Sequence, residues 1–193
     1  GIFLDTETTG LCPTRHRTLE LAMKIIDLAT GEVKCSYHSV VHQPREVWEQ
    51  SDPGALQVNG FDPSMVEEGS SEADVARDIT RIFRELAISN RNAFFICQNP
   101  AHDRNFFGQL VAEEQQKERK WPYHWLDFVS MNWALAMRGG SGWDAYTPLS
   151  KDCIADRLGL PREQRPHRAM NGVEHLIELY QKVVGFPRAT ANV

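Results

Sequence analysis

The chain has 193 residues, of which 41% are hydrophobic, and its formal net charge is −5 at pH 7. This length suits one domain with its own core and favours one domain over two. We therefore predict a single globular domain over residues 1–187, followed by a flexible tail at 188–193. The acidic balance argues against a protein that coats duplex DNA by bulk electrostatics. It does not exclude a nuclease, because a site built from carboxylates is itself acidic.

The cysteines and the apolar runs indicate the cellular compartment that we expect for this chain. Four cysteines form no C-x-x-C pair and no zinc-like cluster with histidine, so neither a zinc site nor a disulfide framework is indicated. A reducing compartment fits this pattern, and we expect a cytoplasmic location. Neither a membrane-spanning run nor a signal segment is present, so no membrane partner is expected. Because a strand follows Gly1 almost at once, we expect the natural N-terminus to lie upstream.

The first predicted elements are strands. Ile2, Phe3 and Leu4 predict a buried strand at the start of the chain. Residues 19–27 and 33–41 are apolar-rich segments, and the short glycine-containing link between them predicts a hairpin. Residues 44–63 contain several prolines and glycines, which predicts an irregular connection with a short helix around Val47.

The first long helix is predicted after Ser71, which can cap it. Apolar residues then recur at steps of three and four: Val75, Ile79, Ile82, Phe83 and Leu86. A strand at 93–97 follows, and a second helix carries Asp103 near its beginning. We expect the charged run 113–120 to form the end of this second helix.

Two more helices are predicted towards the end of the chain. Pro148, after Thr147, suits a first helical position, and Gly159 suits the end of that helix. The last helix is predicted over about 166–184. Three strands in a meander, followed by helix, strand and helices, indicate an α/β domain.

The segment most informative about chemistry is Asp5-Thr6-Glu7, which ends the first strand. Residues two apart in a strand project from the same face, so both carboxylates point at one spot. Packing like charges together is costly unless a cation lies between them, and carboxylate oxygens suit Mg²⁺ or Mn²⁺. Two acidic residues at this spacing can also be an ordinary solvated strand end.

The longer run from Phe3 to Gly10 is more specific than the acidic pair. It resembles the first motif of the DnaQ-like (DEDDh) 3′-to-5′ exonuclease family. This family includes RNase T and the proofreading subunit of bacterial DNA polymerase III. The resemblance implies a ribonuclease H-like fold, a mixed central sheet flanked by helices, over roughly residues 2–184.

A second block begins at Gln98 and resembles the family pattern H-N-x-x-F-D between a strand and a helix. Asn99 and Asp103 are in register with this pattern. Gln98 stands where the family has histidine, and His102 stands where it has phenylalanine. Asp127 resembles a structural aspartate that precedes a helix in the family, and we assign it a structural role.

The third block begins at His167 and is similar to the family pattern H-x-A-x-x-D at the start of the last helix. His167 and Ala169 match this pattern. The final aspartate does not, because Gly172 stands in its place. His167 could also be an ordinary surface histidine near a helix N-terminus.

The resemblance implies a two-metal mechanism with Mg²⁺ or Mn²⁺ as cofactors. In such a mechanism one ion activates a water and the other neutralises charge on the leaving oxygen. By resemblance Asp5 bridges the two ions, Glu7 holds the ion on the nucleophile side, and Asp103 serves the leaving-group side. His167 would be the general base that takes the proton from water.

Gly172 cannot ligate a metal, and three substitutes can be considered. Glu174 is two residues along the helix, about 200° around its axis, and would face away. His175 is on the same face as Gly172 and would favour Mn²⁺ or another transition metal over Mg²⁺. Asn171 or a water could fill the gap weakly. The sequence leaves these open, and Glu174 and His175 can each be solvated helix surface.

Substrate contacts are predicted mainly by the resemblance. Residues just after the acidic pair line the terminal nucleotide pocket in the family: Thr8, Thr9, Gly10 and Leu11. Arg168, with Arg15 and Arg17, is available for phosphates. Three aromatic residues could stack on bases or belong to the core: Trp121, Tyr123 and Trp125.

Two functional hypotheses follow. The first is a metal-dependent 3′-to-5′ exonuclease acting on single-stranded DNA or RNA 3′ ends, with a role in proofreading or DNA repair. The second is a degenerate exonuclease domain that binds strand ends, or a polymerase or other replication protein, without efficient cutting. Three carboxylates and His167 favour the first, and Gly172 favours the second. A strong activity gain for Gly172→Asp would indicate a scaffold that lacks one ligand.

Overall fold

The computed structural model describes residues 1–139 and 149–187. Within them, five strands form one mixed sheet in the order β3-β2-β1-β4-β5. Their bounds are β1 (Ile2–Thr8), β2 (Thr18–Ile26), β3 (Val33–Val40), β4 (Phe95–Cys97) and β5 (Trp125–Asp127). β2 is antiparallel to β1 and β3, whereas β4 is parallel to β1 and to β5. The predicted mixed sheet and its hairpin are confirmed.

Four helices lie between β3 and β4: α1 (Arg45–Trp48), α2 (Pro53–Asn59), α3 (Pro63–Glu67) and α4 (Glu72–Glu85). The connection predicted to be irregular therefore contains three short helices. α2 and α3 each begin with proline behind a capping aspartate, Asp52 or Asp62, whose side chain accepts backbone N–H bonds. Ser71 caps α4 by accepting from the Asp74 N–H, as predicted.

The remaining described helices are α5 (Pro100–Leu110), α6 (Glu113–Glu118), α7 (Phe128–Arg138), α8 (Lys151–Leu158) and α9 (Ala169–Val183). The charged run 113–120 was predicted to end α5, and this is wrong. Val111 adopts an extended conformation and ends α5, so α6 is a separate helix. Neither β5 nor α7 was predicted, although Asp127 has the expected structural role and caps α7.

α8 ends at Gly159, which has a positive φ of 67° as the helix end requires. The N-cap of α8 is Ser150, whereas the predicted helix start at Thr147 and Pro148 lies outside the described residues. The predicted tail at 188–193 also lies outside them. No helix in the described parts of the chain is long and apolar enough to cross a membrane.

The two faces of β1 pack into different parts of the core. Ile2 and Leu4 lie in the cluster that includes residues of α4 and α5, whereas Phe3 lies in the cluster that includes residues of α9. This alternation follows the two-residue period of a strand. Trp125 stacks on Phe95, with ring centroids 3.9 Å apart. The packing indicates a core role for Trp121 and Trp125, whereas the Tyr123 side chain is exposed.

Candidate active site

The carboxyl end of β1 carries Asp5 and Glu7 on the same face as Phe3, the face towards α9. β4 runs parallel to β1, so its carboxyl end lies at the same edge of the sheet. α5 begins there and places Asp103 in its first turn. The Thr6 hydroxyl donates to Asp103 Oδ1 at 3.0 Å, which joins this helix to β1. The fold thus brings the first two sequence motifs together.

Burial raises the pKa of all three acidic residues, and Asp5 adds to the shift of the other two. Burial, with the neighbouring Glu163 and Glu20, raises the pKa of Asp5 to about 6, although Lys151 opposes the shift. Burial and then Asp5 raise the pKa of Glu7 to about 8. The same two causes raise the pKa of Asp103 well above its ordinary value. A bound cation would offset these costs by favouring the ionised carboxylates.

Gly172 lies on α9 against the carboxylate of Asp5. A Cβ atom added at residue 172 would be only 1.9 Å from Asp5 Oδ2. Such a contact is impossible, so any larger residue at this position would displace the Asp5 carboxylate. The glycine therefore does more than remove a ligand, because it gives Asp5 the space it occupies.

Glu163 is a member of this site that sequence reasoning missed. It lies in the loop between α8 and α9, and its side chain is only 1% exposed. Glu163 Oε2 pairs with Lys151 Nζ at 2.7 Å. Glu163 Oε1 is buried and has no hydrogen-bond partner in the described part of the chain. The only sequence signal was an acidic residue in a loop with several arginines, four positions before His167, and such signals are weak.

His167 lies two residues before α9 begins, as the third motif predicted. Its backbone N–H donates to the Val58 carbonyl at 3.1 Å, which ties this loop to α2. Its Nδ1 is 3.7 Å from Glu163 Oε1, and within residues 1–139 and 149–187 its buried Nε2 has no hydrogen-bond partner. The start of α9 is held by Glu20, whose Oε2 accepts the Ala169 N–H at 2.7 Å.

The side chains considered as substitutes for the missing aspartate have different positions. Glu174 is exposed and pairs with Lys24 at 2.6 Å, so it faces away as its helical position predicted. His175 was considered as solvated helix surface, and this is wrong because the residue is only 6% exposed. Its Nε2 bonds to the Pro161 carbonyl at 2.9 Å. Asn171 is half-buried near the same loop.

The donor chemistry of the site suits a hard divalent cation. Asp5, Glu7 and Asp103 provide carboxylate oxygens, and Glu163 Oε1 is a buried acceptor with no partner among the residues that the structure describes. As the side chains stand, no group of three histidine, cysteine or acidic residues within 1–139 and 149–187 is arranged to hold a metal ion. Binding would therefore require side-chain rotations that bring the carboxylates closer together.

A cavity of about 320 Å³ opens beside Glu7. Its lining includes Thr8, Leu11, Val58 and His102. Leu11 is 77% exposed, so its side chain is available to a ligand at this opening. The cavity contains both apolar and polar groups next to the acidic cluster, as expected of a site for a small ligand.

Among the predicted substrate contacts, Thr8 and Leu11 line this cavity, whereas Thr9 and Gly10 do not. The Thr9 hydroxyl accepts the Arg17 N–H at 2.9 Å. A Cβ at Gly10 would lie 2.3 Å from the His16 ring, so glycine allows the turn to pass this ring. These two residues therefore shape the loop after β1.

Arg168 lies beside His167 at the start of α9. Its guanidinium lies over the Phe61 ring, 4.1 Å from the ring centroid, and is half-buried. Its Nη1 has no hydrogen-bond partner among the described residues. Arg168 thus packs against the helical connection after β3, and its assignment to phosphate binding stays a prediction.

Comparison with known proteins identifies the family to which this chain belongs. A model of the exonuclease family, RNase_T, matches residues 2–180. No match is found among curated protein sequences.

Several solved exonuclease structures share the fold. Exonuclease I from Methylocaldum szegediense has a TM-score of 0.73 at 21% identity over 94% of this chain and 40% of its own. E. coli exonuclease I with a dT13 oligonucleotide has a TM-score of 0.72 at 18% identity, over 94% of this chain and 41% of the exonuclease I chain. The nuclease domain of 3′hExo, a DEDDh family member bound to rAMP, has a TM-score of 0.68 at 13% identity, over 96% of this chain and 92% of the 3′hExo domain.

The chain spans about two fifths of the length of these exonuclease I structures. At these identities the structural likeness concerns the fold, which is the ribonuclease H-like fold implied by the sequence motifs. The family match covers all three motifs, from the acidic pair on β1 to the start of α9. The resemblance is confirmed, and the chain belongs to the exonuclease family, with the fold of its DEDDh members.

Proposed function

We propose that this chain is a metal-dependent 3′-to-5′ exonuclease domain that hydrolyses phosphodiester bonds at nucleic-acid 3′ ends. The observation that carries the proposal is the convergence of Asp5, Glu7, Asp103 and His167 at one edge of the sheet. A ligand-sized cavity opens at the same edge. Membership of the exonuclease family supports the same reaction class.

The acidic residues would hold the cofactor. Asp5, Glu7 and Asp103 are the carboxylates we assign to two divalent ions, Mg²⁺ or Mn²⁺. Such ions, when bound, activate a water molecule and neutralise charge on the leaving oxygen. Asp103 is buried and Asp5 and Glu7 are half-buried, so a cation among them would be partly shielded from water and more strongly attracted to the carboxylates.

His167 would accept the proton of the attacking water. Its Nε2 is buried and has no hydrogen-bond partner among the described residues, so this nitrogen would be free to take a proton from a water molecule that entered the site with the metal. Its Nδ1 is 3.7 Å from Glu163 Oε1. A carboxylate at this distance would stabilise the imidazolium that forms when Nε2 takes the proton.

The cavity beside Glu7 would take the terminal nucleotide. Its volume of about 320 Å³ suits a small ligand, and Leu11 presents an apolar side chain on which a base could pack. Arg15 and Arg17 are exposed near the loop after β1 and would contact phosphates. The related structures with dT13 and with rAMP make both DNA and RNA reasonable substrates to test.

A second function, end binding without efficient cutting, is favoured by Gly172 and Lys151. Gly172 removes one carboxylate from the family pattern. The ammonium of Lys151 lies within the acidic cluster and would compete with a cation for it. Association with a polymerase or another replication protein stays a prediction from the resemblance.

Degradation of single-stranded oligonucleotides tests the two functions. DNA and RNA strands labelled at the 5′ end, with a free or a blocked 3′ end, would be incubated with Mg²⁺ or Mn²⁺. We expect stepwise shortening from the free 3′ end only. Asp5→Asn should abolish it, whereas Glu114→Gln, which changes an exposed acid on α6, should not. Binding of strand ends without cutting under either metal would support the degenerate domain instead.

A further inference from the structure

We propose that Glu163 is the fourth acidic residue of this site and takes the metal-binding role that Gly172 cannot perform. The inference rests on the proposed metal-dependent function. It assigns a ligand from the loop between α8 and α9 instead of from α9 itself. The chain would thereby keep four carboxylates although the last family motif lacks its aspartate.

Glu163 lies beside the position that the missing aspartate side chain would occupy. Its Oε1 is 3.2 Å from the point at which a Cβ of residue 172 would lie. Asp5 Oδ2 borders the same point at 1.9 Å. Glu163 therefore borders the space that a longer side chain at residue 172 would enter. Its carboxylate and that of Asp5 meet at the glycine.

One oxygen of the Glu163 carboxylate, Oε1, is buried but unpaired among the described residues. The Glu163 side chain is 1% exposed, yet its Oε1 has no hydrogen-bond partner among residues 1–139 and 149–187. Burying a carboxylate oxygen without a partner is costly, so such an oxygen indicates a missing ligand. The same oxygen is 3.7 Å from His167 Nδ1, which places it beside the residue that would activate water.

Lys151 and Asp152 hold Glu163 in this orientation. Lys151 Nζ binds Glu163 Oε2 at 2.7 Å and lies 3.5 Å from the Gly172 carbonyl oxygen. The Glu163 backbone N–H donates to Asp152 Oδ1 at 3.2 Å. Both contacts come from the first turn of α8. Lys151 therefore acts as a positioning residue that engages one carboxylate oxygen and leaves the other facing the site.

The neighbouring side chains are less suited to this role. Glu174 is exposed and paired with Lys24 on the helix surface. His175 uses its Nε2 to bond the Pro161 carbonyl, and its Nδ1 is 4.0 Å from Glu163 Oε2, the oxygen that Lys151 holds. Glu174 provides a matched control, because it is a glutamate two residues from Gly172 on α9 but directed away from the site.

Binding of Mn²⁺ alone tests the assignment without relying on catalysis. The concentration of free Mn²⁺ can be read from its electron paramagnetic resonance signal during titration of the apo protein. We expect Glu163→Gln to weaken Mn²⁺ binding by at least about 10-fold, as loss of a ligand or its support does. Glu174→Gln should bind as the unmodified chain does, and Asp5→Asn should lose binding. Thermal unfolding without metal would check that each variant folds.

The Mn²⁺ titrations distinguish a failure of the Glu163 assignment from a failure of the proposed metal-dependent function. An unmodified chain that binds no Mn²⁺ would overturn both. Loss of binding in Asp5→Asn, with unchanged affinity in a folded Glu163→Gln, would overturn only the role of Glu163. If Glu163→Gln does not fold, Glu163→Asp decides, because it keeps the charge but withdraws the oxygens by one methylene. Weaker Mn²⁺ binding by this variant supports the assignment, and unchanged binding contradicts it.

Discussion

The two halves of the candidate site differ in how they are built. The first half comes from β1 and α5 and consists of Asp5, Glu7 and Asp103, all on regular elements. The second half comes from α8, the following loop and α9. It combines Lys151, Glu163 and His167 around Gly172, and only His167 belongs to a family motif.

This difference has an electrostatic consequence. Among the described residues, none of the three acids of the first half forms an ion pair, and burial raises the pKa of each. The second half contains a buried carboxylate that is already paired with an ammonium. The first half therefore depends on a cation from outside, whereas the second half carries part of its own charge balance.

Replacing Asp103 by asparagine should have the largest effect on activity and little cost in stability. The asparagine side chain could still accept the Thr6 hydroxyl, while the buried charge would be removed. We expect exonuclease activity to fall by about 10³-fold or more, because a metal-binding carboxylate is lost. The midpoint of urea unfolding without metal should stay the same or rise.

Asp127→Asn is the matched control for this prediction. Asp127 caps α7 at the end of the neighbouring β5, and asparagine caps helices about as well as aspartate. Activity should stay unchanged, and the free energy of unfolding should change by less than about 0.5 kcal/mol. Equal losses of activity in both variants would contradict a specific role for Asp103.

Lys151→Met should have the largest effect on stability. It leaves Glu163 buried without its ion pair, and breaking one partner of a buried pair typically costs about 3–5 kcal/mol. The comparison is Lys24→Met, which breaks the more exposed pair with Glu174 and should cost at most about 1 kcal/mol. Urea unfolding of the two variants measures the difference. Similar costs would show that the second half is not held by the buried pair.

The difference between the two halves of the site also explains which parts of it the sequence could predict. The acidic pair on β1 and the mixed sheet follow from local patterns: apolar runs, the two-residue period of a strand and a recognisable motif. Glu163 was missed because its role depends on contacts with Lys151 and His167 across a loop without periodicity. α6 was merged with α5 because the charged run continued a helical pattern through the extended Val111. The contacts of Glu163 leave only a weak signal in the sequence, and the break at Val111 leaves the charged run unchanged.

Gly172→Ala should have a moderate effect on metal binding. Alanine normally favours a helix over glycine by about 1 kcal/mol, but here its Cβ would collide with the Asp5 carboxylate. We expect Mn²⁺ affinity and activity to fall by about 10-fold as Asp5 is displaced. Gly172→Asp meets the same obstacle, so we expect no gain from restoring this carboxylate.

Gly108→Ala provides the control for this prediction. Gly108 lies within α5, and outside its immediate helical surroundings no atom of the described residues is within 4 Å of an added Cβ. Alanine there should stabilise the protein by up to about 1 kcal/mol and leave metal binding unchanged. Full activity in Gly172→Ala would contradict the argument that Asp5 needs the glycine.

The smallest expected effect is a change of stability with pH. Burial and Asp5 raise the pKa of Glu7 from its ordinary 4.5 to about 8, so the folded chain holds this proton over a range in which the unfolded chain has lost it. Without metal, the contribution of Glu7 to the free energy of unfolding should therefore fall as pH rises from about 4.5 to about 8. Asp5, with a pKa of about 6, acts in the same direction at lower pH.

Urea unfolding of the unmodified chain and of Glu7→Gln in EDTA measures this contribution. The difference between the two should change by about 1–2 kcal/mol between acidic and mildly basic pH, with the unmodified chain losing more stability. Mn²⁺ should reverse the trend in the unmodified chain, because ionised carboxylates bind it more tightly as pH rises. Parallel pH profiles for the two proteins in EDTA would mean that Glu7 is already ionised without a cation. The first half of the site would then not depend on an external cation as strongly as its burial indicates.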